Sequence, residues 1–526
     1  MQDEATTTAA GLEREVHALM RVGKFAEAVA ACKRLNHEFP KYLSGWLTAS
    51  QLALQLNETQ IALRAIDQAL VLAPGQPDLL LQKVSCLSAM GDVDEARELG
   101  KILGPVDFPD ATRSSNAGIA LSRIGLQEIA SKHLLRAAEL EPGIASNHYN
   151  LARTLLLLGR VDEAEQRLDR VLEIDPGDSQ AHVLRSGIRT QTADSNHISE
   201  LSDAILHAST DPDRVHLGFA LAKEWEDLGE FENSFNALAG AAALRRNAIQ
   251  YSPESELDTM QKIREVFDAD TVKRGGGYIN AAPVFVVGMP CSGIALVDGI
   301  LGVHPVVTSA GERQGFATEL QNLCEERFGA LPPTPAELIE KAAQIDFEAL
   351  GEAYIHSTRN ISRESAHFVD RLSFNFLYCG LIHLALPKAK IVMLQRDPLD
   401  TCFAAYRTLF DGGYSYSYDL EELANYFVEF YRLSRHWLDC LGDRIHVVRY
   451  EELVSMDRAV VEALLDYCGL THDSECFRYR DSFEPMSSAS ALHTASAGLS
   501  RDYLEYLGPI RAILDAAEID YADPDA

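Results

Sequence analysis

The stretch Pro283-Val-Phe-Val-Val-Gly-Met-Pro-Cys-Ser-Gly-Ile-Ala-Leu-Val297 decides the fold of the second half of this chain. Val284 to Val287 is a β-branched and aromatic run with the composition of a buried parallel strand. Gly288, Pro290 and Gly293 break the strand, and Ile294 to Leu301 reads as the helix that follows. A strand, a glycine-bearing turn and a helix N-terminus make an anion seat, because backbone N–H groups point at the ligand and the helix dipole favours negative charge there. The same residues also fit an ordinary strand-to-helix turn of an α/β sheet. The Gly-Lys-Ser/Thr of a Walker loop is absent, and with no lysine after Gly293 a phosphate-handling kinase is disfavoured.

Outward from this stretch the pattern stays α/β. Lys390-Ile-Val-Met-Leu394 predicts a second short strand and His446-Val-Val-Arg-Tyr450 a third, with helical segments between them. Strands separated by helices imply crossover connections and a parallel sheet covered on both faces. Upstream, Tyr251 to Val272 reads as a linking helix and Arg274-Gly-Gly-Gly277 as a flexible joint.

The first half is a repeat array. Ala28, Ala62, Ala96, Ala130 and Ala164 fall at an unbroken spacing of 34. Pro40, Pro74, Pro142 and Pro176 keep the same frame, with Phe108 where one proline is missing; Gly23, Gly91, Gly125 and Gly159 mark the turns, with Asn57 in the second unit. Each unit reads as two helices joined by a tight turn. The small alanine lets the helices approach closely, and the proline stops the second helix. The pattern resembles the tetratricopeptide repeat, best in Trp46, Ala62, Ala69 and Pro74, with a weaker unit around Val215 to Asn247 that has Gly229 at its turn. That resemblance implies a concave groove for a protein or peptide, with Asn116, Asn147 and Asn150 as candidate groove residues. Packing against the second domain or self-association is the plainer alternative.

Composition narrows the classes. A chain of 526 residues is too long for one core, and a formal net charge of −31 argues against a nucleic-acid partner. Nine scattered cysteines without a CxxC pair favour a reducing compartment and no structural metal. With no basic leader and no long apolar run, the expectation is a cytoplasmic protein that does not enter a membrane. The predicted division is a tail at 1–8, a repeat domain at 9–250, a linker at 251–281, an α/β domain at 282–515 and an acidic tail at 516–526.

A second resemblance spans roughly 230 residues of the second half. Val-Val-Gly-Met-Pro-x-Ser-Gly at 286–293, His304-Pro305 with Gly311-Glu312, Val-Asp-Arg-Leu-Ser-Phe-Asn-Phe at 369–376 with Gly380-Leu-Ile-His383, Arg396-Asp-Pro-Leu-Asp-Thr-Cys402, Tyr406-Arg407 and Tyr450-Glu-Glu-Leu-Val454 occur in that order. The series resembles bacterial sulfotransferases fused to tetratricopeptide repeats, related to the tyrosylprotein sulfotransferases. The implied fold is an α-solenoid followed by a P-loop-like parallel-sheet domain. The implied activity is sulfuryl transfer from 3′-phosphoadenosine 5′-phosphosulfate (PAPS) to an acceptor hydroxyl.

Carried over by position, the turn Gly288, Pro290, Cys291, Ser292, Gly293 and Ile294 would wrap the 5′-phosphosulfate of PAPS. Glu312 would be the general base, and Arg396 would pair with the 3′-phosphate, a bidentate task suited to guanidinium. Asp370, Asn375, Tyr450 and Glu451 would hold the fold around the site, and His304 and His383 would pack.

The departures matter for function. The family turn reads Met-Pro-Arg-Ser-Gly-Thr-Thr-Leu, so an arginine and two threonines have become Cys291, Ile294 and Ala295. The serine expected eight residues past Arg396 is Ala404. The late Thr-Ala-Ser-x-x-Gln-Val-Arg segment aligns with Ser488-Ala-Ser-Ala491 or Thr494-Ala-Ser-Ala497, and in neither register does Gln-Val-Arg follow. Arg313 or Arg371 could supply a substitute cation, and Cys291 at a helix N-terminus could be a reactive thiol or a small structural residue. Two functions stand: weak PAPS-dependent sulfation of a protein or peptide held by the repeats, or a non-catalytic sulfotransferase-like domain on a partner-binding scaffold.

Overall fold

A computed structural model describes residues 2–359, 365–482 and 497–521, in two compact units, Met1–Ala181 and His182–Ala526. In the first unit the 34-residue period becomes helix pairs such as Leu43–Gln55 with Thr59–Leu72 and Ala111–Arg123 with Gln127–Leu140. All five frame alanines are fully buried, because each sits where its helix crosses a neighbour. The turn residues need a left-handed backbone: φ is +74° at Gly23, +80° at Gly91, +81° at Gly125 and +69° at Gly159. Asn57, at +60°, takes the same conformation, which asparagine tolerates better than most side chains. Trp46 donates its indole N–H to the Pro40 carbonyl at 2.8 Å, and His148 meets the Pro142 carbonyl three repeats later.

The weaker repeat is a real helix pair, Asp211–Asp227 and Phe231–Asn247, with Gly229 at φ +75°. It falls in the second unit, where Val215, Phe219, Leu238 and Ala242 share one apolar cluster with the α/β core. The linking helix is Pro253–Val266. The glycine stretch after it is no loose joint at its end: a Cβ on Gly277 would collide with the carbonyls of Leu384 and Ala385, and Tyr278 N–H donates to Ala385 at 2.8 Å.

Five parallel strands form the sheet: β1 (Pro283–Val287), β2 (Val307–Gly311), β3 (His367–Asp370), β4 (Lys390–Gln395) and β5 (Ile445–Arg449), in the order β2-β3-β1-β4-β5. β1, β4 and β5 are the strands expected from sequence. β2 and β3 are additional; β3 has four residues and β2 carries Thr308 and Ser309, so neither gives an apolar run. The register places Val284 beside Val369 on one side and Lys390 on the other. The chain winds to one side of β1 for β2 and β3 and to the other for β4 and β5. The crevice beyond the end of β1 is therefore where the winding reverses, the usual place for a ligand in such sheets. Among the described residues no helix is long and apolar enough to cross a membrane.

Close helix approach in the repeats is directly testable. A Cβ at Gly118 would run into Leu134, so Gly118→Val is expected to lower the unfolding free energy by about 1–3 kcal/mol. Denaturant melts read this; an unchanged midpoint would show that the pair has slack.

Candidate functional site

The turn after β1 has the backbone of an anion seat. Cys291 is left-handed at φ +63° and Gly293 at +100°, and the helix Ile294–Gly302 starts at Gly293. Among the described residues the N–H groups of Gly293, Ile294 and Ala295 find no backbone acceptor, which is the arrangement an oxyanion needs. Gly293 has a second reason to be glycine, since a Cβ would press into the ring of Tyr450.

The side chains of the turn face other tasks. Ser292 is buried and donates its hydroxyl back to the Met289 carbonyl at 2.7 Å. Pro290 is buried, and Gly288 passes close to Ser292 Oγ. Ile294 lies in the apolar cluster with Val297 and Val369, so the position where the family has a hydroxyl serves the core here. Half-buried Cys291 has its Sγ 3.6 Å from Thr408 Oγ1. Burial pushes this thiol up, against smaller opposing effects of Thr408, Arg396 and Arg407. That direction runs against a reactive thiolate and fits the structural reading of Cys291.

Arg396 is placed beside the turn but turned inward. Its side chain is fully buried; Nη1 donates to the Cys291 carbonyl at 2.8 Å, Nη2 lies 3.8 Å from Asp400, and its carbon sits 4.4 Å from the centre of the Tyr450 ring. Asp400 in turn accepts the Gly498 N–H at 2.6 Å, the Ser500 N–H at 2.8 Å and the Ser500 hydroxyl at 2.7 Å. An internal carboxylate thus takes a guanidinium, two backbone donors and a hydroxyl, the donor set of a phosphate site. Ala404 is fully buried nearby on the helix Pro398–Tyr406. Of the late segment, Ser488 to Ala491 and Thr494 to Ser496 lie outside the described residues. Counting from Thr494, the glutamine and valine positions are Leu499 and Ser500, and exposed Arg501 stands at the arginine position.

Across the crevice, Glu312 follows β2 and is exposed, with Oε1 3.1 Å from Arg371 Nη1. Arg371 N–H donates to the Gly311 carbonyl at 3.1 Å, which ties the end of β3 to the residue before Glu312. Tyr414, left-handed at φ +47°, stacks on Phe374 at 4.8 Å and meets Phe410 at 4.7 Å. Burial raises its phenol, with a smaller push from Glu312 and opposing effects of Ser373 and Arg371. Neither Tyr414 nor Asp298, whose carboxylate lies 3.2 Å from Arg371, stood out in the sequence. Asp298 could have been found from its place one helical turn past Ile294.

The supporting residues are where expected. Buried Asp370 accepts from the Tyr354 hydroxyl at 2.7 Å, Asn375 Nδ2 at 2.9 Å and the Leu372 N–H at 3.2 Å. Glu451 accepts the Asp397 N–H at 2.7 Å. His304 is spent on Thr471, and burial lowers half-buried His383. In the repeats, Asn147 is buried and donates to the Ala137 carbonyl at 3.4 Å, so it braces helices instead of facing a groove; Asn116 is exposed and Asn150 half-buried.

Residues 283–474 match the sulfotransferase family and residues 130–188 the tetratricopeptide repeat. An uncharacterized protein of Aquifex aeolicus (strain VF5) is 26% identical over 445 residues, covering 82% of this chain and 58% of that protein. Cellulose synthase operon protein C of Pseudomonas fluorescens (strain SBW25) is 26% identical over 297 residues, covering 49% of this chain and 22% of that protein. The chain thus spans little more than half the length of the first of these relatives and under a quarter of the second. The sulfotransferase domain from the curacin biosynthetic pathway aligns at 16% identity over 48% of this chain and all of that domain, with a TM-score of 0.31. A thermophilic TPR protein of Thermus thermophilus aligns at 19% identity over 34% of this chain and 98% of that one, with a TM-score of 0.29.

Asp370 carries a pH signature. Burial, outweighing its hydrogen bonds, pushes the carboxyl up to about 6. The folded protein then holds a proton that the unfolded chain releases, so this group's contribution to stability falls as pH rises from about 4 to about 6 and is flat above. The stability advantage of wild type over Asp370→Asn is expected to shrink by up to about 3 kcal/mol across that window. A difference that stays constant with pH would refute the assignment.

Proposed function

We propose that this chain, a tetratricopeptide-repeat array joined to a sulfotransferase-family domain, slowly transfers a sulfuryl group from PAPS to a hydroxyl of a protein or peptide held by the repeats. The observation that carries this reading is the left-handed turn after β1, at Cys291 and Gly293, which leads into the N-terminus of the helix Ile294–Gly302. The N–H groups of Gly293, Ile294 and Ala295, which find no backbone acceptor among the described residues, fit the 5′-phosphosulfate end of PAPS. When bound, PAPS would supply the sulfur centre, whose bond to the phosphate oxygen breaks as the acceptor oxygen bonds to it.

The chain's own residues divide the remaining work. Glu312 takes the proton of the acceptor hydroxyl, a transfer that contributes about 10²–10⁴-fold when the base is well placed. Arg371 holds that carboxylate by its ion pair. The turn's backbone donors meet the negative charge that develops on the leaving side. No cation on the turn helps them, because Cys291 is a neutral thiol, and one missing preorganised donor costs about 10²–10³ in rate.

A second reading rests on Arg396. Its side chain is fully buried and engaged by internal partners, which suits a domain that supports the repeat scaffold and does no chemistry.

The deciding experiment is a sulfate-transfer assay on peptide and protein acceptors with wild type and Cys291→Arg/Ala295→Thr. Ile294 is kept because it is part of the core. Slow transfer by wild type, raised about 10²-fold or more in the variant, is expected. Transfer by neither protein would favour the scaffold, and full-rate transfer by wild type would contradict the loss of the cation.

A further inference from the structure

Asp298 lies on the helix Ile294–Gly302, one turn past the anion loop. Its Oδ2 accepts from Ser309 Oγ of β2 at 2.9 Å and lies 3.2 Å from Nε of Arg371. The other side of the same guanidinium, Nη1, is 3.1 Å from Glu312 Oε1. Side-chain exposure climbs along this row, from 13% at Asp298 through 29% at Arg371 to 54% at Glu312. A buried carboxylate, a half-buried guanidinium and an exposed carboxylate thus run outward from the anion loop to the crevice.

Packing does not ask for this acid. The helix already begins at Gly293, so Asp298 caps nothing. Its Oδ1 is buried and without a hydrogen-bond partner among the described residues. Two carboxylates around one guanidinium leave negative charge uncompensated in a place where burial penalises it. Around Asp298 stand Ser309 and Glu312 from the β2 side, Arg371 from the end of β3, and Tyr479 from the helix Ser474–Ser482. Among the described residues, Arg371 is the cation that acts on it.

We propose that Asp298 is a positioning residue for Glu312. It anchors Arg371 from behind, so the guanidinium presents Nη1 outward and pins the exposed carboxylate on the side of the crevice that faces the loop. A lone glutamate more than half exposed would spread over its rotamers, and fixing it costs side-chain entropy. Arg371 is already tied through its backbone to Gly311, so anchoring its head completes a rigid bracket for Glu312. The kinetic part of this inference rests on the transfer reading above; the coupling of the three side chains does not.

Two measurements separate these parts. First, the Asp298 carboxyl is followed by carbon NMR over a pH series in wild type, Arg371→Met and Glu312→Gln, with Asp298→Asn identifying its signal. Burial holds this carboxyl above the ordinary range, Arg371 pulls it down and Glu312 pushes it up. Its midpoint is therefore expected to rise in Arg371→Met and fall in Glu312→Gln, and a midpoint indifferent to both overturns the bracket. Second, in the transfer assay Asp298→Asn is expected to lower kcat by about 10-fold to 10²-fold with KM for the acceptor unchanged. Asp298→Glu should recover part of the loss. Unchanged kcat, or kcat lost in step with thermal stability and equally in Asp298→Glu, overturns the positioning role. If wild type and the Cys291→Arg/Ala295→Thr variant both lack transfer, the transferase reading fails, while the NMR series still decides whether the bracket exists.

Discussion

The site in the second unit depends on where one guanidinium goes. Arg396 leaves β4 fully buried and is met by the Cys291 carbonyl, the Asp400 carboxylate and the Tyr450 ring. Through Asp400 it reaches Gly498 and Ser500, a hundred residues along the chain, and through Cys291 it fixes the left-handed turn after β1. A buried guanidinium cannot be left unpaired without a cost of several kcal/mol, so these contacts specify the arrangement around it. The charge that a bisphosphate would need at that end is thereby engaged by the protein itself.

The turn shows the complementary pattern. Its backbone keeps the geometry of an oxyanion seat, while Ser292, Ile294 and Cys291 serve the core and their neighbours. Charge is retained across the crevice instead, where Asp298, Arg371 and Glu312 stand in a row. The sequence comparison suggested that fixed charge survives at the Arg396 end. In the structure Arg396 is engaged by the protein, and among the described residues the N–H groups of Gly293, Ile294 and Ala295 find no backbone acceptor.

Much of the architecture was legible in the residues. An alanine every 34 positions can only be read as a helix crossing repeated at that period, and all five such alanines are buried. The runs at β1, β4 and β5 are apolar enough to declare themselves. β2 and β3 are not, since Thr308, Ser309 and His367 share their short lengths with few apolar neighbours. The same limit hid the occupancy of Arg396: Asp400 is one turn away and visible, but its bonds to Gly498 and Ser500 are set by tertiary packing. Asn147 misled for a related reason, because helical position alone does not tell a groove residue from one that bonds the next helix. Asp298 carried a readable signal in its spacing from the turn, but its meaning needed Arg371 and Ser309 from two other strands.

The central claim is that the donor seat is held by backbone N–H groups while its cations face inward. Calorimetric titration of wild type and Cys291→Arg/Ala295→Thr with the 3′,5′-bisphosphate product of PAPS tests it most directly. Millimolar or weaker binding by wild type is expected, with affinity at least about tenfold tighter in the variant, or roughly 1.4 kcal/mol. Micromolar binding by wild type that is lost in Arg396→Ala would contradict it, because Arg396 would then be serving the ligand and not the fold.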